Sequence, residues 1–217
     1  QALLQEVSRQ DYDEATAWKK YNTWAMLYHL SPLRKNLLRW YNFGDKPLDI
    51  LELGAGCGAV TSFFTGLKNC QTITTVEGSA SRSEIIKQRC KQSTGLTVVT
   101  GNIGDYEDTK LYDIVTLIGV LEYAGKYITA TDPFKLTLAK AAKFLKPDGI
   151  LILAIENRLG HKYLAGLNED HYKRPYEGLS NYPHYNGVKT FDKKTLKTLL
   201  TDCSLSQQKW FYPFPDY

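Results

Sequence analysis

Two carboxylates and a run of glycines carry the clearest chemistry in this chain. Leu51-Glu52-Leu53-Gly54-Ala55-Gly56-Cys57-Gly58 closes an apolar stretch, and Val76-Glu77-Gly78 closes another. Alternating glycines let the backbone turn sharply and let a ligand approach with no Cβ in the way. Glu77 stands about twenty residues past the glycines, the interval at which a carboxylate accepts both hydroxyls of a ribose. Gly54-x-Gly56-x-x-Ala59 also fits the dinucleotide pattern. The pair therefore signals an adenosine-bearing cofactor without deciding which one.

Proton-transfer candidates come next. His171 and His29 are histidines that can hold a neutral imidazole near neutral pH and take a hydroxyl proton. Glu122, in Gly119-Val120-Leu121-Glu122-Tyr123, is a third candidate base; a helix-capping or ion-paired glutamate is the alternative reading. Asn157 and Arg158 can orient a sugar or a phosphate. Tyrosines crowd residues 156 to 190, where they can stack on sugar rings or pack the segment on the core. No cysteine or histidine spacing predicts a metal site, so none is expected.

These residues need elements to hold them. Leu48–Leu53, Thr72–Val76, Leu96–Thr100, Tyr112–Ile118 and Ile150–Ile155 read as strands, the last apolar throughout and expected to be buried on both faces. Between them lie helices over Gly58–Leu67, after a Ser79 cap, and from Asp132-Pro133 to Leu145, with Pro147-Asp148-Gly149 as a turn. Strict alternation predicts right-handed crossovers and an α/β, doubly wound, mostly parallel sheet. The helix starting at Gly58 should aim free N–H groups at the glycine turn. Residues 1–45 read as a helical cover, with Trp18, Tyr21, Met26 and Leu30 on one stripe and Ser31-Pro32 as a cap. Residues 46–155 form the cofactor-binding core, 156–190 an ordered substrate cap, and 191–217 a helix capped by Asp192 and a strand over Ser206–Pro213. All are assigned to a single domain.

Leu-Glu-Leu-Gly-Ala-Gly-Cys-Gly resembles the first motif of the class I S-adenosylmethionine-dependent methyltransferases, a Rossmann-like fold. The resemblance implies that Glu52, Gly54, Ala55 and Gly56 hold the methionine part of the cofactor. Glu77 and Gly78 would hold the ribose, Asn102 and Ile103 the adenine, and the backbone of Ile118 and Gly119 would line the pocket. Family members usually carry an acidic residue where this chain has Asn102, whose side-chain carbonyl can accept the same bond; Asp105 competes for that role. Arg34 or Ser31 would reach the methionine carboxylate, and Tyr123 would face the acceptor. Ala154-Ile155-Glu156-Asn157-Arg158-Leu159-Gly160-His161, then Glu169-Asp170-His171, with Tyr28-His29-Leu30-Ser31-Pro32 upstream and the final Tyr-Pro-Phe-Pro-Asp-Tyr, resemble a methyltransferase subgroup associated with bacterial surface-polysaccharide biosynthesis. That subgroup implies O-methylation of a sugar or glycan-terminal group, and a fused or neighbouring glycosyltransferase as partner. The family's sheet ends in an antiparallel strand for which no segment is found before Tyr217, and the chain opens at Gln1, so it is expected to be excised from a longer protein.

Composition narrows the classes. A chain of 217 residues can bury one substantial core. Net charge of +4 with scattered basic residues does not call for nucleic acid, and no Asn-Pro-Pro-Tyr or Pro-Cys motif for base methylation occurs. Four dispersed cysteines suit a reduced, cytoplasmic protein. No run reaches the roughly twenty apolar residues of a membrane span. A nicotinamide-dependent oxidoreductase acting on nucleotide sugars would carry a Tyr-x-x-x-Lys pair, but Tyr123 is followed by Tyr127 and Tyr163 by Leu167. A cofactor-binding scaffold without turnover is the other alternative.

Overall fold

A computed structural model describes residues 2–213. Its helices are α1 (Ala2–Val7), α2 (Glu14–Ala17), α3 (Trp24–Leu30), α4 (Asn36–Arg39), α5 (Thr61–Phe64), α6 (Ala80–Arg89), α7 (Ala124–Tyr127), α8 (Pro133–Lys143), α9 (His161–Leu164) and α10 (Lys193–Asp202). Its strands are β1 (Leu48–Leu53), β2 (Cys70–Glu77), β3 (Leu96–Thr100), β4 (Tyr112–Ile118) and β5 (Leu145–Ala154), in one sheet of order β3-β2-β1-β4-β5. This is the doubly wound α/β arrangement that the alternation predicts. No helix among the described residues is long and apolar enough to cross a membrane.

The chain divides into two compact units, one formed by residues up to Tyr106 with Tyr112–Ile114 and the segment from Trp210, the other by Glu107–Leu111 and Val115–Lys209. In the first, β1 and β2 pair in parallel, as do β2 and β3. Leu53 aligns with Val76, and Glu77 with Thr100, so all three strands end at the same level. The helical cover packs Leu3, Val7, Ala17, Met26 and Leu30 with Cys57 of the glycine turn and Ile85 of α6. Arg89, on the last turn of α6, locks this assembly. Its guanidinium pairs with Glu14 and donates to the carbonyls of His29 (2.7 Å) and Cys57 (3.2 Å). Ser31 accepts from Leu33 N–H and caps a 3-10 turn, as its position before Pro32 predicts.

In the second unit, α8 packs on β5 and α10 on α8. Asp132 and Asp192 cap α8 and α10 through Lys135 N–H and Thr195 N–H. Residues 156–190 are largely irregular, but two buried carboxylates organise them. Glu169 accepts the N–H groups of His171 (2.7 Å) and Tyr172 (2.8 Å); Glu177 accepts the N–H of His184 (2.9 Å). Tyr163 and Tyr182 are buried, whereas Tyr176 and Tyr185 are about half exposed.

Four expectations are corrected. The helix expected over Gly58–Leu67 is helical only at Thr61–Phe64 and otherwise a chain of turns. Val60, Thr61 and Thr65 are β-branched and Gly66 is a poor helix former, so the run lacks the propensity to propagate. A helix this short cannot supply the N–H array expected of it. Ser79 stands at the N-cap of α6 but makes no side-chain cap bond; its hydroxyl meets Ser81 instead. β5 begins at Leu145 and runs through Pro147-Asp148-Gly149, and its residues are half-buried or exposed rather than buried. It ends the sheet order, and an edge position is where a strand tolerates a proline. Ser206–Pro213 forms no strand, and Phe214–Tyr217 lie outside the described residues.

Candidate functional site

The first unit gathers Glu52, the glycine turn and Glu77 at the carboxyl ends of β1 and β2. Gly56 has φ of +58° with nothing within 4 Å of where a Cβ would stand, so the turn is open above it. Gly58, at φ +75°, instead presses on Ile86, 3.3 Å from an added Cβ. The Glu77 carboxylate bridges the two strand ends. Its Oε2 accepts the N–H of Gly56 (2.8 Å), its Oε1 accepts that of Ser79 (3.0 Å), and Arg82 stands 3.6 Å from Oε1. Gly54 and Ala55 both donate N–H to the Val76 carbonyl, which holds the turn against β2. Gly101 follows β3 with open space beside it, and a Cβ added at Gly78, after β2, would only just touch the Gly101 carbonyl, at 4.0 Å. Asn102 turns its Oδ1 onto the N–H of Gly104 (2.9 Å), and Ile103 is buried.

Glu52 lies under the turn, 3% exposed, accepting the Thr61 hydroxyl (2.6 Å). Burial pushes its carboxyl up to about 8, against the pull of Thr61 and the Arg34 and Arg89 charges. Arg34 stacks on Tyr28, 4.1 Å from the ring centre, and its buried Nη1 has no hydrogen-bond partner among the described residues. A buried guanidinium N–H with no acceptor is costly unless a ligand supplies one. His29 lies in the same unit, where burial and then Arg34 lower its imidazole to about 4.

The second unit brings Glu122, Tyr123 and His171 together with Glu156, which the sequence reading passed over. One ligand atom each from Glu122, Glu156 and His171 lie within 4.8 Å of one another. Glu122 is buried beside Gly119, where an added Cβ would sit 3.7 Å from its Oε1; Glu156 is exposed. Tyr123 meets the His171 ring edge-on at 5.2 Å. Behind His171 stands Glu169, fully buried, with Oε1 2.9 Å from Nδ1. Burial alone would raise Glu169; the hydrogen bonds from His171 and Tyr172 hold it below the usual carboxylate range. Burial works against a charged imidazole at His171, but the bond to Glu169 and the charges of Glu169, Glu156 and Glu122 raise it above its ordinary value and favour the protonated ring. Glu156 had a signal in its position directly past β5, and Glu169 in its place two residues before His171.

Ile118 ends β4, and Gly119 just past it, at φ +67°, donates its N–H to the Ala154 carbonyl (2.9 Å). Asn157 Oδ1 accepts Leu159 N–H. Arg158 is committed to its own chain: its guanidinium pairs with Asp192 (2.8 Å) and reaches Asn181 Oδ1 (3.2 Å).

Residues 51–151 match a family model described as a methyltransferase domain. Over 156 residues the chain is 26% identical to the ubiquinone biosynthesis O-methyltransferase of Rickettsia akari (strain Hartford), covering 69% of this chain and 59% of that protein. The chain thus spans about three fifths of that relative's length. A coclaurine N-methyltransferase crystallised with N-methylheliamine and S-adenosylhomocysteine shares the fold with a TM-score of 0.52 at 19% identity, covering 88% of this chain and 53% of that one. So does the complex between the Haloferax volcanii Trm112 methyltransferase activator and a methyltransferase, with a TM-score of 0.56 at 18% identity over 90% of this chain and 77% of that one.

Proposed function

We propose that this chain, which carries a class I S-adenosylmethionine-dependent methyltransferase domain, transfers the methyl group to a hydroxyl of a sugar or glycan end. One observation supports the cofactor assignment above the others: the β1–β2 register sets the glycine turn beside Glu77 and the Gly56 N–H···Glu77 bond closes them together. The residues present fit the cofactor. The turn is open above Gly56, the partnerless Arg34 Nη1 suits a carboxylate, and Glu77 keeps lone pairs for ribose hydroxyls. In this reading Glu52, Gly54, Ala55, Gly56 and Arg34 take the methionyl part, Glu77 and Gly78 the ribose, and Asn102 and Ile103 the adenine. S-adenosylmethionine, when bound, supplies a methyl group already activated on a sulfonium sulfur.

The chain's own work is then to orient an acceptor, exclude water and handle a hydroxyl proton. Glu122, Glu156 and His171 are the groups suited to activating that hydroxyl, with Tyr123 and Asn157 as neighbouring contacts for the acceptor. Arg158, bound to Asp192, serves as a positioning residue. His29, held neutral in the other unit, belongs with the cofactor-side cover rather than with proton removal. The tyrosine-rich 156–190 segment and the Glu169-Asp170-His171 run support a glycan acceptor through the subgroup they resemble, and a neighbouring glycosyltransferase as the source of that acceptor.

Calorimetric titration with S-adenosylhomocysteine and with NAD tests the reading. S-adenosylhomocysteine binds and NAD does not. Glu77→Ala weakens binding roughly 10- to 100-fold, the loss expected for charge-assisted bonds to a ribose. Binding of NAD alone would overturn the assignment.

A further inference from the structure

We propose that Glu14 and Arg89 are positioning residues for the cofactor: their ion pair holds Arg34 where it meets the carboxylate of the methionyl end. This rests on the cofactor reading above. Arg34 is the group that points to a ligand. Its guanidinium stacks 4.1 Å from the centre of the Tyr28 ring, and its buried Nη1 has no hydrogen-bond partner among the described residues. Its charge acts on the Glu52 carboxyl under the glycine turn and on the His29 imidazole. A long side chain that offers a donor to a ligand gains from being fixed beforehand, because arginine otherwise gives up much rotamer freedom on binding.

One ion pair fixes the segment that carries Arg34. The Arg89 side chain is 1% exposed and spends its whole fork. Nε and Nη2 donate to Glu14 Oε1, and Nη1 donates to the carbonyls of His29 (2.7 Å) and Cys57 (3.2 Å). Glu14 Oε2 accepts the Lys35 ammonium, and the Ser62 hydroxyl donates to Oε1 (2.9 Å). The stretch from His29 to Lys35 is therefore held at both ends by the same pair. The Cys57 contact ties that stretch to the glycine turn. Gly58 gives its N–H to the Ala55 carbonyl (3.0 Å), so the Cys57–Gly58 peptide is bonded on both sides and cannot flip. Burial alone would raise the Glu14 carboxyl; the Arg89 charge and the bonds from Lys35 and Arg89 hold it below the usual carboxylate range.

Stability alone does not account for this pair. Desolvation consumes most of the Coulomb energy of a buried ion pair, and apolar side chains of similar volume often serve a core equally well. What apolar side chains cannot do is bind two carbonyls at once, one in the last turn of α3 and one in the glycine turn. The pair thus contributes a fixed placement of Arg34 relative to the turn.

The test compares two ligands by calorimetry. S-adenosylhomocysteine carries the amino-acid end; 5′-methylthioadenosine keeps the adenosine and the sulfur but lacks that end. The main variant combines Glu14→Leu with Arg89→Met, which replaces the ion pair by apolar side chains and leaves no lone buried charge. Circular dichroism and thermal melts verify that it folds; should it not, Arg89→Lys, which keeps the charge and loses the fork, takes its place. The variant weakens S-adenosylhomocysteine binding about 10- to 100-fold, the loss of a charge-assisted contact, and changes 5′-methylthioadenosine binding by less than about 3-fold. Arg34→Met shows the same selective loss, and adding it to the main variant weakens binding no further, because both act through one contact. Equal weakening of the two ligands would reduce the pair to structural support and overturn the proposal. Unchanged S-adenosylhomocysteine binding, or losses that add in the combined variant, would overturn it as well. In each of those cases the unmodified chain still binds and the cofactor reading stands. An unmodified chain that binds neither compound would overturn the cofactor reading, and the positioning role with it.

Discussion

Glu52 shows at the residue scale what burial does to a carboxyl. Burial raises its pKa from the ordinary 4.5 to about 8, so in the ligand-free protein it is mostly protonated at pH 7. Folding therefore retains a proton that the unfolded chain releases between about 4.5 and 8. The stability this contributes is fully present below 4.5 and is lost as pH rises through 8. With Glu52 holding the methionyl part as proposed, the ammonium of a bound S-adenosyl compound would favour the ionised form and reverse the shift. S-adenosylhomocysteine binding at pH 7 is thus expected to release up to one proton. Calorimetry in buffers of different ionisation enthalpy measures that number directly. Glu52→Gln should bind without proton release and should flatten the fall of Tm between pH 5 and 8. An unchanged release in Glu52→Gln would assign the proton to another group.

At the scale of elements, caps and strand ends were legible because each rests on local chemistry, whereas lengths depend on what packs around them. Asp132-Pro133 and Asp192 announce α8 and α10, and both caps form. The β-branched run of β2 and its carboxylate terminus were equally plain. The short α5 and the edge character of β5 were not, because turn propensity and tertiary position override an apolar pattern there. The Glu122–Glu156–His171 grouping was half legible. Glu122 and His171 could be named singly, but Glu156 joins them only through three-dimensional proximity. Asp192 allows a test at this scale, since it caps α10 and also holds Arg158. Burial works against its charge, but Thr195 and Arg158 lower it from 3.8 to about 2. Its contribution is present above pH 4 and is lost as pH falls through 2. Asp192→Asn keeps a competent cap and removes the partner of Arg158; Asp192→Ala removes both. Thermal melts at pH 7 should show a larger loss for Ala, about 1–2 kcal/mol, or roughly 2–8 °C in a chain of this size. Equal losses for the two variants would mean that the cap itself contributes nothing measurable.

For the molecule as a whole, the groups assigned to the cofactor lie mostly in one compact unit and those assigned to the acceptor in the other. That separation makes a regional prediction. A ligand that binds only the folded state at a hundredfold over its Kd adds about 2.7 kcal/mol. For a chain of this length S-adenosylhomocysteine should raise Tm by roughly 5–11 °C. Hydrogen exchange should resolve where that free energy is felt. Amides at 52–58, 77–79 and 101–104 gain protection, because their N–H groups belong to the turns that end β1, β2 and β3. Protection by S-adenosylhomocysteine confined to residues 156–190, with none at 52–58, would move the cofactor off the glycine turn.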